Sequence, residues 1–380
     1  MIRVYGLAKM LAHDFDVTVV GPSDSGEIWA PIAEDTSIDY RMYRLATSYV
    51  RFAHQAPDLA RRLIDGDVIL SASPLLPAYG LALAARAQRR RPLLLDIHEW
   101  DIGTYCPGIA RELLTQRLGW FWRTRSPLII RYGYAQWRKA DALTVTNTFL
   151  QRRYGGHWIP QVRDERAFEG LPTSPPQAPD SDRTVMFLGT PRSHKGLDDL
   201  VATWQRVRRP GRRLRIVGSD VNVKLPEALR GLDDDSVTVE PAVALSQAPA
   251  TLAAADVVGI PQKFARATVG QLPAKLIEAM AASKAIVATD VGDMALWLAE
   301  DSGLVVPHGN ADAMADGIDR LLEDPNLRAR LGANAKRRYL AHASFAAVRP
   351  RLVSLIERLL ARRNPGPALQ VFATAPAHPD

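Results

Sequence analysis

Short apolar runs alternate with helical stretches along the whole chain. The runs at 17–20, 68–71, 93–97, 143–146, 185–188, 214–217, 237–239, 257–260, 286–289 and 304–306 are apolar at successive positions, not only at every second one. Strands buried on both faces read this way, and they belong to parallel sheets covered by helices on each side. The segments between them keep apolar residues at a spacing near 3.6, as at 197–207 and 312–322. This alternation predicts βαβ units and doubly wound α/β sheets.

Residues 172–182 break the pattern with four prolines in eleven positions. Proline continues neither a helix nor a central strand, so the stretch reads as a linker between domains at 1–171 and 183–344. A length of 380 residues also favours two cores over one. Residues 345–363 read as a helix kinked at Pro350, and the Pro- and Ala-rich 364–380 as a disordered tail. The chain opens on a helix, with Val4, Leu7, Ala8 and Leu11 on one face of residues 3–12, and its first strand follows at 16–20. A doubly wound sheet has its first strand at the centre, and without it two neighbours carry unpaired backbone groups. The reading favours a strand supplied from upstream of Met1. The alternative is a makeshift strand over residues 1–5.

No apolar run reaches the roughly 18 residues of a membrane span. The opening Met-Ile-Arg-Val-Tyr-Gly lacks the basic-then-apolar order of a signal peptide. One cysteine, Cys106, excludes an internal disulfide and a cysteine-built metal centre. These features point to the cytoplasm. The net charge of +7 is uneven, because residues 111–139 hold seven Arg and Lys against Glu112 alone. Trp120, Phe121, Trp122, Tyr132, Tyr134 and Trp137 lie among those cations. Two readings stand. Either the aromatics are core and the arginines a solvated face, or the stretch docks on an anionic membrane or a lipid-linked substrate. No recognised nucleic-acid-binding module accompanies the patch, so a nucleic acid is not expected.

Three segments could carry chemistry. The strand at 185–188 runs into Gly189-Thr190-Pro-Arg192-Ser-His-Lys195-Gly196 and then a helix. Cations beside a helix N-terminus suit an anion, and a diphosphate is the natural occupant. A solvated capping loop is the other reading, and the GxGxxG and P-loop patterns are absent. The second segment, Leu272-Pro-Ala-Lys275-Leu276-Ile-Glu278, is a loop and helix ahead of a buried strand. That layout puts Glu278 beside the carboxyl ends of a parallel sheet, where open α/β sheets bind nucleotides. The third, Asp96-Ile-His98-Glu99-Trp-Asp101, ends the strand at 93–97. Three carboxylates around His98 predict a raised pKa, in a histidine either catalytic or structural. The same carboxylates raise the question of a metal.

These residues resemble the family-4 glycosyltransferases, enzymes of the two-domain GT-B fold. In that family a Gly-Arg pair, a short loop and Lys-Gly open the second domain, and the Arg and Lys neutralise the donor diphosphate. Gly189 and Lys195-Gly196 match, Thr190 stands in place of the Arg, and Arg192 is its substitute. The family also carries two glutamates with seven residues between them. Glu278 matches the second, which holds the ribose hydroxyls. The first falls on Gly270, and Gln271 or Lys275 is left to contact the donor sugar. Gly218 ends the strand before the nucleotide loop, and the helix start near Leu276 adds its dipole. The resemblance covers nearly the whole chain, most closely over 184–340 and more loosely before residue 90.

The resemblance implies two Rossmann-like domains facing a cleft, with a C-terminal helix crossing back to the first. It implies a retaining transferase whose co-substrate is a nucleotide-diphosphate sugar, with no other cofactor and no metal. The acceptor, a glycan, a lipid-linked sugar or a small molecule, would bind the first domain with His98 near the reacting centre. Two rivals stand beside it. One is a sugar-nucleotide 2-epimerase. The other is a degenerate relative that binds a nucleotide sugar without turnover, to which Gly270 and Thr190 point.

Overall fold

The computed structural model describes residues 2–23, 27–46, 48–106, 123, 126–172, 182–219 and 235–362. The first half holds strands β1 (Thr18–Ser23), β2 (Asp39–Arg44), β3 (Ile69–Ser71), β4 (Leu93–Ile97), β5 (Ala142–Val145) and β6 (His157–Trp158). Its helices are α1 (Ile2–Leu11), α2 (Tyr49–Leu63), α3 (Leu76–Arg89), α4 (Asp101–Tyr105), α5 (Pro127–Ala135) and α6 (Thr148–Tyr154). The second half holds β7 (Arg183–Leu188), β8 (Arg212–Ser219), β9 (Val237–Pro241), β10 (Val257–Ile260), β11 (Ala285–Thr289) and β12 (Leu304–Val306). Between and after them come α7 (Leu197–Val207), α8 (Ala248–Ala253), α9 (Ala274–Ala281), α10 (Met294–Trp297), α11 (Ala311–Glu323), α12 (Pro325–His342) and α13 (Phe345–Ala361).

In the second half all six strands are parallel, in the order β12-β11-β10-β7-β8-β9. Alternate residues of one strand feed different cores, as the two-residue pleat requires. Val185 and Phe187 pack with Leu200 and Trp204 of α7 and Ile318 of α11. Met186 and Leu188 pack with Leu276 and Met280 of α9 and Tyr339 of α12. Each core is closed by helices whose ends are fixed locally. Asn310 caps α11 by accepting from the Ala313 amide at 2.9 Å, and Asp324 caps α12 through the Leu327 amide at 2.9 Å with Pro325 in its first turn. Such caps satisfy amides the helix cannot.

The first half repeats this logic around β3-β4-β5-β6. Leu93, Leu95 and Ile97 face one core, while Leu94 faces another built with Leu7 and Met10 of α1 and Leu352, Leu355 and Ile356 of α13. So α13 crosses back from the second half and completes the core of the first. It runs through Pro350 as one helix.

The makeshift strand is corrected, and two strands form that the apolar runs did not give. Residues 2–5 belong to α1, so no makeshift strand forms there. Among the described residues the first half is not one continuous sheet, because β1 and β2 pair only with each other. Strand β2 was hidden by its charged sequence, Asp-Tyr-Arg-Met-Tyr-Arg, and β6 is two residues long. Most of the linker and basic stretch, at 173–181, 107–122, 124 and 125, and the tail from 363, lie outside the described residues. Of the aromatics that remain, Tyr134 is buried, Tyr132 is exposed, and Trp137 lies under the Arg138 guanidinium.

Candidate active site

The carboxyl ends of the two sheets meet across a cleft. Beyond β7 the chain turns at Gly189, φ +116°, and β8 bulges at Gly218, φ +114°. A Cβ on Gly218 would lie 2.7 Å from the Gly189 carbonyl carbon, so the two turns touch backbone to backbone. Gly196 has φ +67°, and a Cβ there would sit 1.7 Å from the Pro261 carbonyl oxygen. Only glycine fits that position. This packing carries the Ser193–Lys195 turn over the end of β7 and brings the Lys195 ammonium above Gly189.

Two lysines converge here. The Lys195 ammonium makes no hydrogen bond or ion pair with a described residue. Burial pushes its pKa down, and the Arg192 charge pushes it further, against the opposing pull of Glu99 and Glu278. Lys275, in the first turn of α9, is buried, and its ammonium is enclosed without a hydrogen-bond partner. It stands 4.0 Å from the centroid of the Phe187 ring. Burial and then the Lys195 charge hold it well below the usual lysine range. His194 is lowered by burial and by the same cations. Arg192 itself is exposed, and Thr190 offers its carbonyl to the Arg192 amide at 2.9 Å.

Glu278 lies one turn further along α9. The Arg163 guanidinium donates to its Oε1 through both Nε, at 2.9 Å, and Nη2. Its Oε2 accepts nothing from a described residue. Arg163 is fixed in turn, because its own amide and carbonyl pair with Ala343 and Phe345. Leu276 is placed differently from its neighbours. Its side chain is core and its amide is bonded to the Pro273 carbonyl, so it presents nothing to a ligand.

From the first half, β4 delivers His98, Glu99, Trp100 and Asp101. Asp96 is fully buried and spent on Arg3, whose guanidinium donates to it at 2.7 and 3.0 Å, with Thr144 adding 2.6 Å. Burial drives the Asp96 carboxyl up, but Arg3 more than offsets it and the pKa falls below the ordinary value. His98 Nδ1 is enclosed without a hydrogen-bond partner, 3.7 Å from Asp96. The expected rise in the His98 pKa is therefore corrected. Burial lowers it, and Asp96 and Glu99 do not recover the loss. Asp101 accepts from the Tyr134 hydroxyl at 2.9 Å, and Glu99 accepts from Gln271 Nε2 at 2.9 Å. The three carboxylates thus face different partners. Among the described residues no group of three His, Cys, Asp or Glu is arranged to hold a metal.

Gly270 explains itself in three dimensions. A Cβ there would stand 2.5 Å from Cβ of Trp100 and 3.3 Å from the Phe149 ring. Trp100 is wedged between the halves under Arg153 and Arg266, whose guanidinium carbons lie 5.0 and 5.6 Å from its ring. A second bridge joins Thr148 to Asp293, through amide and hydroxyl donors at 2.8 and 2.6 Å. Beside it a cavity opens between the halves, lined by Phe149, Arg152, Val269 and Leu296. Arg163 and Trp100 were not singled out from the sequence, since a lone Arg after Ile-Pro and a lone Trp after a strand carry no pattern.

Residues 182–324 match the family model described as glycosyl transferases group 1, and residues 2–163 the model described as glycosyltransferase family 4. The chain is 27% identical over 181 residues to alpha-D-kanosaminyltransferase of Streptomyces kanamyceticus, across 46% of this chain and 45% of that enzyme. It is 25% identical over 360 residues to a GDP-mannose-dependent monoacylated alpha-(1-6)-phosphatidylinositol monomannoside mannosyltransferase of Corynebacterium glutamicum, across 86% of each. Its fold superposes on sucrose-phosphate synthase from Thermosynechococcus elongatus with a TM-score of 0.69, over 95% of this chain and 93% of that one at 22% identity. With both halves matched and the cleft between them built as described, the chain belongs to the family-4 glycosyltransferases, enzymes of the GT-B fold that take a sugar from a nucleotide-sugar donor.

Proposed function

We propose that the cleft transfers the sugar with retention and without a metal, holding the donor diphosphate on Lys195 and Lys275 and the ribose on Glu278. The observation that carries this reading is the enclosed, unpartnered ammonium of Lys275 beside Lys195. Two desolvated cations repel until an anion joins them, and a diphosphate between them relieves both. As the sugar–phosphate bond breaks, negative charge grows on the leaving diphosphate, and fixed cations stabilise it where it forms. Arg192 adds to that field from the rim. Glu278 offers Oε2 to a ribose hydroxyl while Arg163 anchors Oε1. His98, held neutral by burial, faces the reacting centre as a hydrogen-bonding group. Closure of the halves excludes water and completes the site.

The acceptor enters from the first half. The corynebacterial relative is named for a phosphatidylinositol mannoside, and this chain exposes Val50 on α2 with Leu128 and Tyr132 on α5. Those side chains adjoin the basic stretch, which supports a lipid-linked acceptor taken from an anionic membrane surface.

Calorimetric titration with UDP, GDP, ADP and dTDP tests the donor site. One diphosphate binds, and Lys195→Ala weakens it by at least about tenfold, or roughly 1.4 kcal/mol. An unchanged affinity would remove the diphosphate from this place. With the conjugate of that nucleotide, transfer persists in EDTA, and the product anomer seen by NMR is that of the donor. Inversion, loss of transfer on chelation, or binding without any transfer each defeats the corresponding part.

A further inference from the structure

We infer that Glu99, from the first half, supplies the carboxylate that hydrogen-bonds the hydroxyls of the donor sugar. The inference rests on the donor-site reading above and adds the group that touches the sugar.

Once Glu278 is given to the ribose, Glu99 is the acidic side chain of the cleft with an oxygen that no described residue engages. Asp96 is consumed by Arg3 and Thr144, Asp101 is held by Tyr134, and Glu278 is clamped by Arg163. Glu99 forms no ion pair with a described residue, and its one side-chain hydrogen bond is from Gln271 Nε2 to Oε1 at 2.9 Å. Oε2 accepts from no described residue and is open to a ligand. An ionised carboxylate only accepts, through two oxygens, which matches hydroxyl donors on adjacent sugar carbons.

Its position follows from both halves. The Glu99 charge acts on His98 beside it and on His194 and Lys195 opposite. The Gln271 hydrogen bond sets the carboxylate against the second half, on the side of the cleft that carries Lys195, within reach of a sugar on the distal phosphate. Gln271 holds the carboxylate from the second half and fixes its rotamer. The second half cannot place a side chain at Gly270, because Trp100 fills that space. Trp100 follows Glu99 directly in the chain. The loop that closes position 270 to a side chain is the loop that brings Glu99 in.

A sugar held this way is gripped by both halves at once, whereas a bare diphosphate touches only the second. The sugar, and not the diphosphate, then draws the halves together.

The test compares a nucleoside diphosphate with its own sugar conjugates. The probes are UDP, GDP, ADP or dTDP, whichever the wild type binds, and the matching glucose and mannose conjugates. In Glu99→Gln the diphosphate affinity stays within about twofold, which also reports an intact fold, while the conjugate affinity falls by about tenfold or more. Conjugates with fluorine in place of the hydroxyl on the third or fourth sugar carbon supply a second readout. The wild type binds them more weakly than the parent, and Glu99→Gln no longer distinguishes them. Equal losses for diphosphate and conjugate, or no loss for either, would overturn the assignment while leaving the donor site standing. A wild type that binds no nucleoside diphosphate overturns the donor-site reading, and this inference falls with it.

Discussion

Asp101 stands at the head of α4 with a neutral hydroxyl as its partner. Burial raises its pKa from 3.8 to about 7, the Tyr134 hydrogen bond pulls the other way, and Glu99 adds to the rise. A carboxyl whose folded pKa lies above its unfolded one favours the folded state in its protonated form. Its contribution is complete below the unfolded value and is lost as pH rises through about 7. At about 1.4 kcal/mol per unit, the effect is on the order of 4 kcal/mol. Urea unfolding at successive pH values is expected to show stability falling between pH 4 and 8, and Asp101→Asn is expected to flatten that slope. A slope unchanged in the variant would mean another group titrates. His98 shows why such chemistry is only half legible in a sequence. The three carboxylates beside it were visible. The Arg3 that neutralises one of them lies 93 residues away, and the burial that outweighs the others is a property of the fold alone.

At the scale of elements, the buried strands were legible because apolar residues at successive positions have one home, a covered parallel sheet. Strand β2 escaped because only Tyr43 of its six residues is buried. Helix α12 shows how glycine sets a packing distance. A Cβ on Gly332 would lie 2.1 Å from the Ser283 carbonyl oxygen, at the turn that leads into β11. Backbone cannot yield as a side-chain tip does, so Gly332→Ala pushes α12 off that turn. The expected cost is about 1–3 kcal/mol, read as a lower Tm. An unaltered Tm would show that α12 can shift freely. The same reasoning accounts for Gly270, which looked like a lost glutamate in the sequence and proves to be a position closed by Trp100.

At the scale of the molecule, three pairs of side chains join the halves among the described residues, Arg163–Glu278, Gln271–Glu99 and Thr148–Asp293. Two of the three use residues of the candidate site, so ligand binding and the relation of the halves are linked. None of these pairings was legible, since each joins residues more than a hundred positions apart. The division of the first half into a β1-β2 pair and a β3-β4-β5-β6 sheet was not legible, since pairing partners are set by the fold. No described helix is long and apolar enough to cross a membrane. Val50, Leu128 and Tyr132 are 61%, 46% and 46% exposed, and the Tyr49 and Tyr132 rings meet at 6.2 Å. The protein is expected to co-sediment with phosphatidylglycerol vesicles and not with phosphatidylcholine vesicles, and a Leu128→Asp, Tyr132→Asp double variant is expected to stay in the supernatant. Equal sedimentation of wild type and variant would place the contact elsewhere.

The return of α13 also bears on how the protein is made. Leu7, Met10 and Leu94 share their core with Leu352, Leu355 and Ile356. On the ribosome the early residues emerge while that helix has yet to be translated. Their apolar face stays open throughout synthesis of the second half, a period in which exposed hydrophobic surface invites association with other chains or with chaperones. The half that is made first is the half that is finished last.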